Sequence, residues 1–120
     1  MSLRVQRSPW FIGDLEHYAA WYDRKADWEL AKRYLRAVGS TLVKIANVPT
    51  LGHKTVFAAH ELKDLRCVSV ERPFQKHLIF YRFDATAIFA ERIVHGARDL
   101  PRRLRQPPGS AEKLESGLEE

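Results

Sequence analysis

Apolar and polar residues alternate at the start of the chain and then follow a helical spacing. In residues 3–7 the apolar Leu3 and Val5 alternate with polar residues, which is typical of a short strand with one buried face. Ser8-Pro9 then predicts the start of a helix, with serine as the N-cap and proline at the first helical position, where no N–H is needed. The apolar stripe of this helix is expected at Ile12, Leu15, Ala19 and Tyr22.

A second and more regular apolar stripe predicts a longer helix. Asp27 is its expected N-cap, and Pro49 ends it because the residue before a proline is steered out of helical geometry. The stripe repeats at alternating three- and four-residue steps and consists of Trp28, Ala31, Leu35, Val38, Leu42 and Ile45. Since only a short charged break separates the two helices, we expect an antiparallel helical hairpin.

Three segments rich in Val, Ile, Phe and Tyr occupy the second half of the chain. Residues 65–71, 77–83 and 86–95 have the composition of strands, and short connections join them, so they predict an antiparallel meander. The predicted fold class is α+β. Its order is an N-terminal strand, a helical hairpin and a three-stranded meander (β-α-α-β-β-β), with both helices packed on one face of the sheet.

The turn between the last two strands decides which side chains share a face. A two-residue turn at residues 84–85 would place Tyr81 opposite Ile88 on an apolar face turned towards the helices, together with Ile79, Ala90, Val68 and Val70. The other face would carry Phe80, Arg82, Phe89, Glu91, Ile93 and His95. With this turn, His77 and His95 point to opposite faces, whereas a three-residue turn would place them on the same face.

Length and composition are those of one folded domain. The chain has 120 residues, of which 45% are hydrophobic and 29% charged, so it can form one core and is not globally disordered. Without an apolar run of roughly 20 residues or a signal-peptide core, we expect a cytoplasmic protein that does not bind membranes. The lone Cys67 is expected to be a buried, inert thiol, and no Cys/His spacing indicates a zinc site, so neither a metal nor a cofactor is expected.

Charge divides the chain into two parts. Residues 106–120 begin with a Pro/Gly-containing linker and carry one Lys against four Glu, which predicts a flexible acidic tail. Because the whole chain has a net charge of +5 and this tail has −3, the expected domain at residues 1–105 has +8. So basic a domain favours an acidic partner, such as nucleic acid, a nucleic-acid enzyme or an acidic protein.

The order of these elements and the local motifs on them resemble the RelE/ParE superfamily of small bacterial toxins. The matching pieces are Ser8-Pro9 with Asp14-Leu15, residues 49–52, Leu65-Arg66, residues 77–82 and residues 92–100. The final stretch, which ends in His95-Gly96-Ala97-Arg98-Asp99-Leu100, is more similar to the ParE branch, often labelled plasmid-stabilisation toxins.

The resemblance implies a toxin of a type II toxin–antitoxin module, held in a hetero-oligomer by a cognate, ParD-like antitoxin. Antitoxins of this superfamily typically lay a helix across the helical hairpin and sometimes add a strand to the sheet. A small acidic antitoxin suits a basic domain, and aromatic side chains would give it apolar anchors. The expected antitoxin-binding residues are Trp10, Trp21, Trp28, Tyr34, Phe80 and Phe89.

Two mechanisms divide the superfamily and require different residues. The ParE branch inhibits DNA gyrase and needs only a binding surface, expected here at His95, Arg98, Arg102, Arg103 and Arg82. The RelE branch is an endoribonuclease that cuts mRNA on the ribosome, for which the catalytic candidates are His95, His77, Lys76 and Arg72.

The residues around His95 favour the gyrase inhibitor. Gly96 follows His95 where related nucleases often have tyrosine. His77 or Lys76 stands where those nucleases usually have arginine. Ribosome-dependent mRNA cleavage is the alternative, and a degenerate, non-toxic binding module is a third possibility.

Overall fold

The fold places a helical hairpin on one face of a five-stranded sheet. The structure is a computed structural model that describes residues 2–110, so most of the expected acidic tail lies outside the described residues. The elements are β1 (Arg4–Arg7), α1 (Pro9–Lys25), α2 (Trp28–Asn47), β2 (His53–Lys54), β3 (Arg66–Ser69), β4 (His77–Phe83), β5 (Ala87–His95) and α3 (Leu100–Leu104), with a 3-10 turn at His60–Leu62. The predicted α+β class and β-α-α-β-β-β order are confirmed, and β2 and α3 are additions to it.

The sheet has the strand order β1-β5-β4-β3-β2. β3, β4 and β5 form the predicted antiparallel meander, while β1 runs parallel to β5 and closes one edge. The helical hairpin carries the chain from β1 at one edge to the short β2 at the other. No helix among residues 2–110 has the length and apolar character that crossing a bilayer requires.

Both predicted helix starts are confirmed. The Ser8 hydroxyl accepts a hydrogen bond from the Phe11 N–H at 3.0 Å, with Pro9 at the first helical position. The Asp27 carboxylate accepts from the Leu30 N–H at 2.9 Å. Each cap pairs an N–H that has no partner within its helix.

The buried side of α1 differs from the predicted stripe by one position. Phe11, Asp14 and Tyr18 are buried, whereas Ile12 is 41% exposed. The stripe was wrong at Ile12 because the helix is oriented to bury a charged residue, Asp14, which an apolar pattern leaves out. In α2 the predicted stripe is confirmed except at its first residue, Trp28, which is 53% exposed.

Apolar clusters lie on both faces of the sheet. The larger one lies between the helices and the sheet and includes the predicted inward residues Ile79, Tyr81 and Ile88. A second cluster on the other face is covered by the 3-10 turn and α3 and consists of Leu62, Leu65, Cys67, Phe80, Val94 and Leu104. Phe80 therefore lies on its predicted face but is buried beneath this cover, so the expectation that it binds the antitoxin is wrong. Cys67 is buried as predicted, and burial raises the pKa of its thiol to about 11.

The β4–β5 hairpin does not have the predicted turn. The Asp84 N–H donates to the Ala87 carbonyl, and the Asp84 carboxylate accepts from the backbone N–H groups of Thr86 and Ala87, so residues 85–86 form the tip. Tyr81 therefore pairs with Ala90 rather than with Ile88. This shift of two residues leaves every side chain on its predicted face, because strand side chains alternate with a period of two.

A β-bulge then changes the faces in the second half of β5. Tyr81 pairs with Ala90 but Phe80 pairs with Arg92, so Glu91 is the extra residue. One extra residue moves each later side chain to the opposite face. The prediction that Ile93 and His95 lie on the outer face is wrong for this reason: Ile93 is in the helix-side core, and His95 pairs directly with His77.

Tyr81 connects the sheet to the loop after α2. Its hydroxyl donates to the Pro49 carbonyl at 2.8 Å and accepts from the buried Gly52 N–H at 2.9 Å. A Cβ at residue 52 would lie 2.7 Å from this hydroxyl, so only glycine allows the approach.

We expect Tyr81→Phe to lower the free energy of unfolding by about 1–3 kcal/mol, because it leaves the Gly52 N–H and the Pro49 carbonyl without their partner. Urea-induced unfolding monitored by circular dichroism measures the change. A variant as stable as the wild type would contradict this role.

Candidate functional site

The end of β5 meets the start of β4 at a pair of histidines. The bulge at Glu91 brings the rings of His77 and His95 to a centroid distance of 4.8 Å, nearly perpendicular to each other at 73°. Of the predicted site residues, these two are brought together most directly, although the predicted pairing without a bulge would have placed them on opposite faces.

His77 is enclosed by tyrosines from both helices. It is 1% exposed, and its two ring nitrogens hydrogen-bond to the hydroxyls of Tyr22 at 2.9 Å and Tyr34 at 3.3 Å. Burial, aided by the neighbouring His95, lowers the pKa of His77 to about 3. At neutral pH the ring is therefore uncharged, and neither nitrogen is left to exchange a proton with a ligand.

His95 has a different environment. Its ring is half-buried, and within residues 2–110 its ring nitrogens make no hydrogen bond. Burial lowers the pKa of His95, and the positive charges of Arg103 and Lys76 lower it further. The backbone is fixed on both sides, since its N–H donates to the Tyr18 hydroxyl at 3.1 Å and its carbonyl accepts from Arg103 at 2.6 Å.

The basic residues after β5 are ordered by local contacts. Gly96 and Asp99 both have positive φ, which turns the chain back into the short helix α3. The guanidinium of Arg103 donates to the carbonyls of His95 and Arg98, and Arg102 pairs with Asp99 at 3.0 Å. Buried Leu104 then anchors α3 against the sheet.

Together with Arg102 and Arg103, the residues Arg98 and Arg105 form a basic corner after β5. The Arg105 side chain reaches the Pro101 carbonyl at 3.0 Å and the Glu61 carboxylate at 3.4 Å. The exposed Arg98 side chain makes no hydrogen bond or ion pair within the described part of the chain. Arg98 is therefore the side chain of this corner that is best placed to bind a partner.

Sequence reasoning missed the ion pair between Arg92 and Asp14. The Arg92 guanidinium donates to both Asp14 oxygens at 2.8 Å, and the pair is almost fully buried. The same guanidinium donates to three carbonyls at the end of α3, those of Arg103, Leu104 and Gln106. Asp14 lies outside the apolar stripe predicted for α1, and nothing in the sequence indicated either its burial or its partner 78 residues away.

Of the other predicted site residues, Lys76 flanks the histidine pair, whereas Arg72 and Arg82 do not contact it. Arg72 and Lys76 are exposed in the loop before β4, and only Lys76 is near enough to affect His95. Arg82 lies on the outer face, where it donates to the carbonyls of Glu61 and Lys63 and pairs with Glu91 at 2.7 Å. It does not join the basic corner.

The aromatic candidates divide by exposure. Trp10 and Trp28 are exposed, while Trp21 and Phe89 are partly buried. Tyr34 and Phe80 are both fully buried, so neither presents a surface to a partner. The Arg92 guanidinium carbon lies 5.0 Å from the centroid of the Trp10 ring, so the guanidinium covers one face of that ring.

Chemically, this end of the sheet offers one accessible imidazole and a basic corner. Residues 2–110 contain no group of three or more His, Cys, Asp or Glu side chains able to hold a metal ion. The arrangement suits the binding of an acidic surface more directly than a reaction that needs both an acid and a base.

Comparisons with known proteins agree with this fold. Residues 5–100 match the family described as ParE toxin of type II toxin-antitoxin system, parDE. A solved structure described as the chromosomal ParDE TA system from P. aeruginosa superposes with a TM-score of 0.64. The match covers 80% of this chain and 98% of that chain, and at 14% identity it supports the fold alone. Curated protein sequences gave no match.

Burial of His77 should make stability depend on pH. The pKa of His77 is about 3 in the folded protein, whereas an unfolded histidine titrates near 6.5. Between these values the unfolded chain binds a proton that the folded chain does not. Stability contributed by the neutral ring is therefore complete above about pH 6.5 and is lost as the pH falls towards 3, by up to about 1.4 kcal/mol per pH unit.

We expect His77→Gln to flatten this dependence, because glutamine does not titrate. Urea-induced unfolding at several pH values between about 4 and 7 gives the slope for each protein. Parallel slopes for wild type and variant would show that the buried imidazole is not the titrating group.

Proposed function

Since the chain belongs to the ParE family of type II toxins, we propose that it inhibits DNA gyrase in the cytoplasm and is neutralised by a cognate antitoxin. The family supports the toxin class, and the gyrase target and the antitoxin are inferences for this chain. The surface that would contact gyrase is the basic corner after β5, with His95, Arg98 and Arg102 as its contact residues.

The environment of His77 favours gyrase inhibition over RNA cleavage. Cleavage of RNA requires one group to activate the 2′-hydroxyl and another to protonate the leaving oxygen. Tyr22 and Tyr34 occupy both nitrogens of His77, and its low pKa keeps it neutral. Since His77 cannot serve as the second acid–base group beside His95, binding to a protein target explains the site better than catalysis does.

The geometry of the basic corner also supports a binding role. The Arg103 guanidinium donates to the backbone carbonyls of both His95 and Arg98, which orders the backbone of the corner without a partner. A preorganised surface loses less entropy on binding. Buried Leu104 and the hydrogen bonds of Arg92 hold the helix beneath it.

The antitoxin would bind to the exposed aromatic side of the helical hairpin. Trp10, Ile12 and Trp28 are large apolar side chains that are each more than 40% exposed. Trp10 also lines a groove of about 620 Å³ between the start of α1, the 3-10 turn and α3. Apolar anchors beside a basic domain suit an acidic, amphipathic segment that folds as it binds.

Ribosome-dependent mRNA cleavage is the second candidate, because the ring of His95 is only half-buried and Lys76 lies near it. In that mechanism His95, whose ring nitrogens make no hydrogen bond within residues 2–110, would be the base, and Lys76 would face the developing negative charge. This alternative requires chemistry from a lysine and one histidine.

We expect the purified chain to inhibit supercoiling by gyrase or to trap cleaved DNA, and to leave mRNA intact in a reconstituted translation reaction. Arg98→Gln should weaken gyrase inhibition by about tenfold, since it removes an exposed charge from the contact surface. Arg24→Gln removes an equal charge from the exposed end of α1 and should have no effect.

The same assays test the alternative. Site-specific mRNA cuts that disappear in His95→Ala, without gyrase inhibition by the wild type, would establish the nuclease instead. Both mechanisms would be excluded if the chain neither inhibits gyrase nor cuts mRNA and does not arrest growth when produced alone.

We expect Trp28→Ala to weaken binding of the antitoxin encoded beside the toxin gene by about thirtyfold, as for a central aromatic anchor. Its stability should change by no more than about 0.5 kcal/mol, because the indole is largely exposed. Val56→Ala, at an exposed apolar side chain away from the hairpin, is the matched control. Isothermal titration of both variants gives the comparison, and equal affinities would place the antitoxin elsewhere.

A further inference from the structure

Three arginines line a pocket between α2 and the loop that joins β3 to β4. Arg33 and Arg36 come from α2 and Arg72 from the loop, around an open space of about 300 Å³. The pocket is away from the groove beside Trp10 and from the basic corner after β5. Its floor is formed by buried residues, Ala37 and Phe74.

The fold fixes where these arginines lie. Tyr34, Ala37 and Val38 are buried against the core, whereas Arg33 and Arg36 are exposed and lie one turn apart on α2, where they line the pocket together with Ala37. Phe74 anchors the loop, since its ring packs against that of Tyr34 at 5.3 Å. Arg72 is thereby held against the helix although its own side chain is exposed.

The positive charge in this pocket is not neutralised. The guanidinium groups of Arg33, Arg36 and Arg72 make no hydrogen bond or ion pair within residues 2–110. Glu71 is the acidic residue that lines the pocket, but its carboxylate pairs with Lys44 at 2.7 Å. Like charges one helical turn apart repel each other, so a bound anion would relieve an unfavourable arrangement.

We propose that this pocket binds a phosphate group, from either a nucleotide or a nucleic-acid strand. Planar guanidinium groups bind phosphate oxygens through paired hydrogen bonds. Three positive charges exceed what one carboxylate neutralises and match a doubly charged phosphate or neighbouring phosphodiesters. The space is larger than a phosphate alone and leaves room for an attached sugar. The proposal goes beyond gyrase inhibition, because contact between the basic corner and an enzyme does not require this pocket.

Binding to two probes tests the proposal on the full chain. One probe is a short fluorescein-labelled DNA duplex, followed by anisotropy between about 50 and 200 mM salt, and the other is inorganic pyrophosphate, followed by isothermal titration. The variant Arg33→Gln/Arg36→Gln/Arg72→Gln removes the pocket charge. The matched control Arg4→Gln/Lys54→Gln/Lys63→Gln removes three exposed positive charges elsewhere.

We expect the pocket variant to bind one of the probes at least about tenfold more weakly than the wild type, while the control keeps the wild-type affinity. For the duplex, the slope of log K against log salt changes by about 0.9 for each phosphate that the variant no longer neutralises, so a change of about two to three is expected. Weaker binding of the duplex alone indicates a nucleic-acid strand. Weaker binding of pyrophosphate, with or without the duplex, indicates a nucleotide or a terminal phosphate.

Three results would overturn the proposal. Equal weakening in the pocket variant and the control would mean that the charge of the whole domain, and not this pocket, attracts the probe. Failure of the wild type to bind either probe would exclude a phosphate site. Displacement of the duplex by polyglutamate at equal charge concentration would identify an acidic protein segment as the ligand class.

Discussion

The buried ion pair between Arg92 and Asp14 is the interaction on which the arrangement of the site depends. Arg92 lies on β5, Asp14 on α1, and the carbonyls that Arg92 also binds lie at the end of α3. One guanidinium therefore joins the sheet, the helical hairpin and α3. Removing water from such a pair is costly, and breaking one by deleting a partner commonly destabilises a protein by about 3–5 kcal/mol. Here the remaining polar atoms are also paired, since Asp14 accepts the Ile93 N–H as well.

The β-bulge at Glu91 lies next to this ion pair and determines what the histidines can do. Ser8 stabilises it, because its hydroxyl donates to the Glu91 carbonyl while capping α1. Its N–H also donates to the Ala90 carbonyl. The start of the hairpin and the irregularity in β5 are thus fixed together. Without the extra residue, His95 would point away from His77.

Local sequence signals were sufficient to predict the helices and strands. The features that could not be predicted depend mainly on contacts between residues far apart in the sequence. Ser8 and Asp27 predicted helix starts because caps act within four residues. The hairpin tip depends on a local contact too, but Asp84 was placed inside the turn when its carboxylate in fact closes it. The bulge at Glu91 and the burial of Asp14 depend on pairings about 80 residues apart, for which a single sequence has no signal. The resemblance to a family identified the fold and the toxin class, but the face of His95 came only from the structure.

The charge of the domain also has a different meaning once the contacts are known. The net charge of +8 before residue 106 favoured an acidic partner but did not indicate where it would bind. However, Arg82, Arg92 and Arg103 direct their guanidinium groups at backbone carbonyls, where they stabilise the fold rather than attract a partner. Net charge still steers acidic partners from a distance, because the long-range field does not distinguish paired from free arginines. Specific binding requires arginines whose guanidinium groups are free. Within residues 2–110, such arginines lie at the corner at Arg98 and at the pocket at Arg72, two separate places where an acidic group can bind.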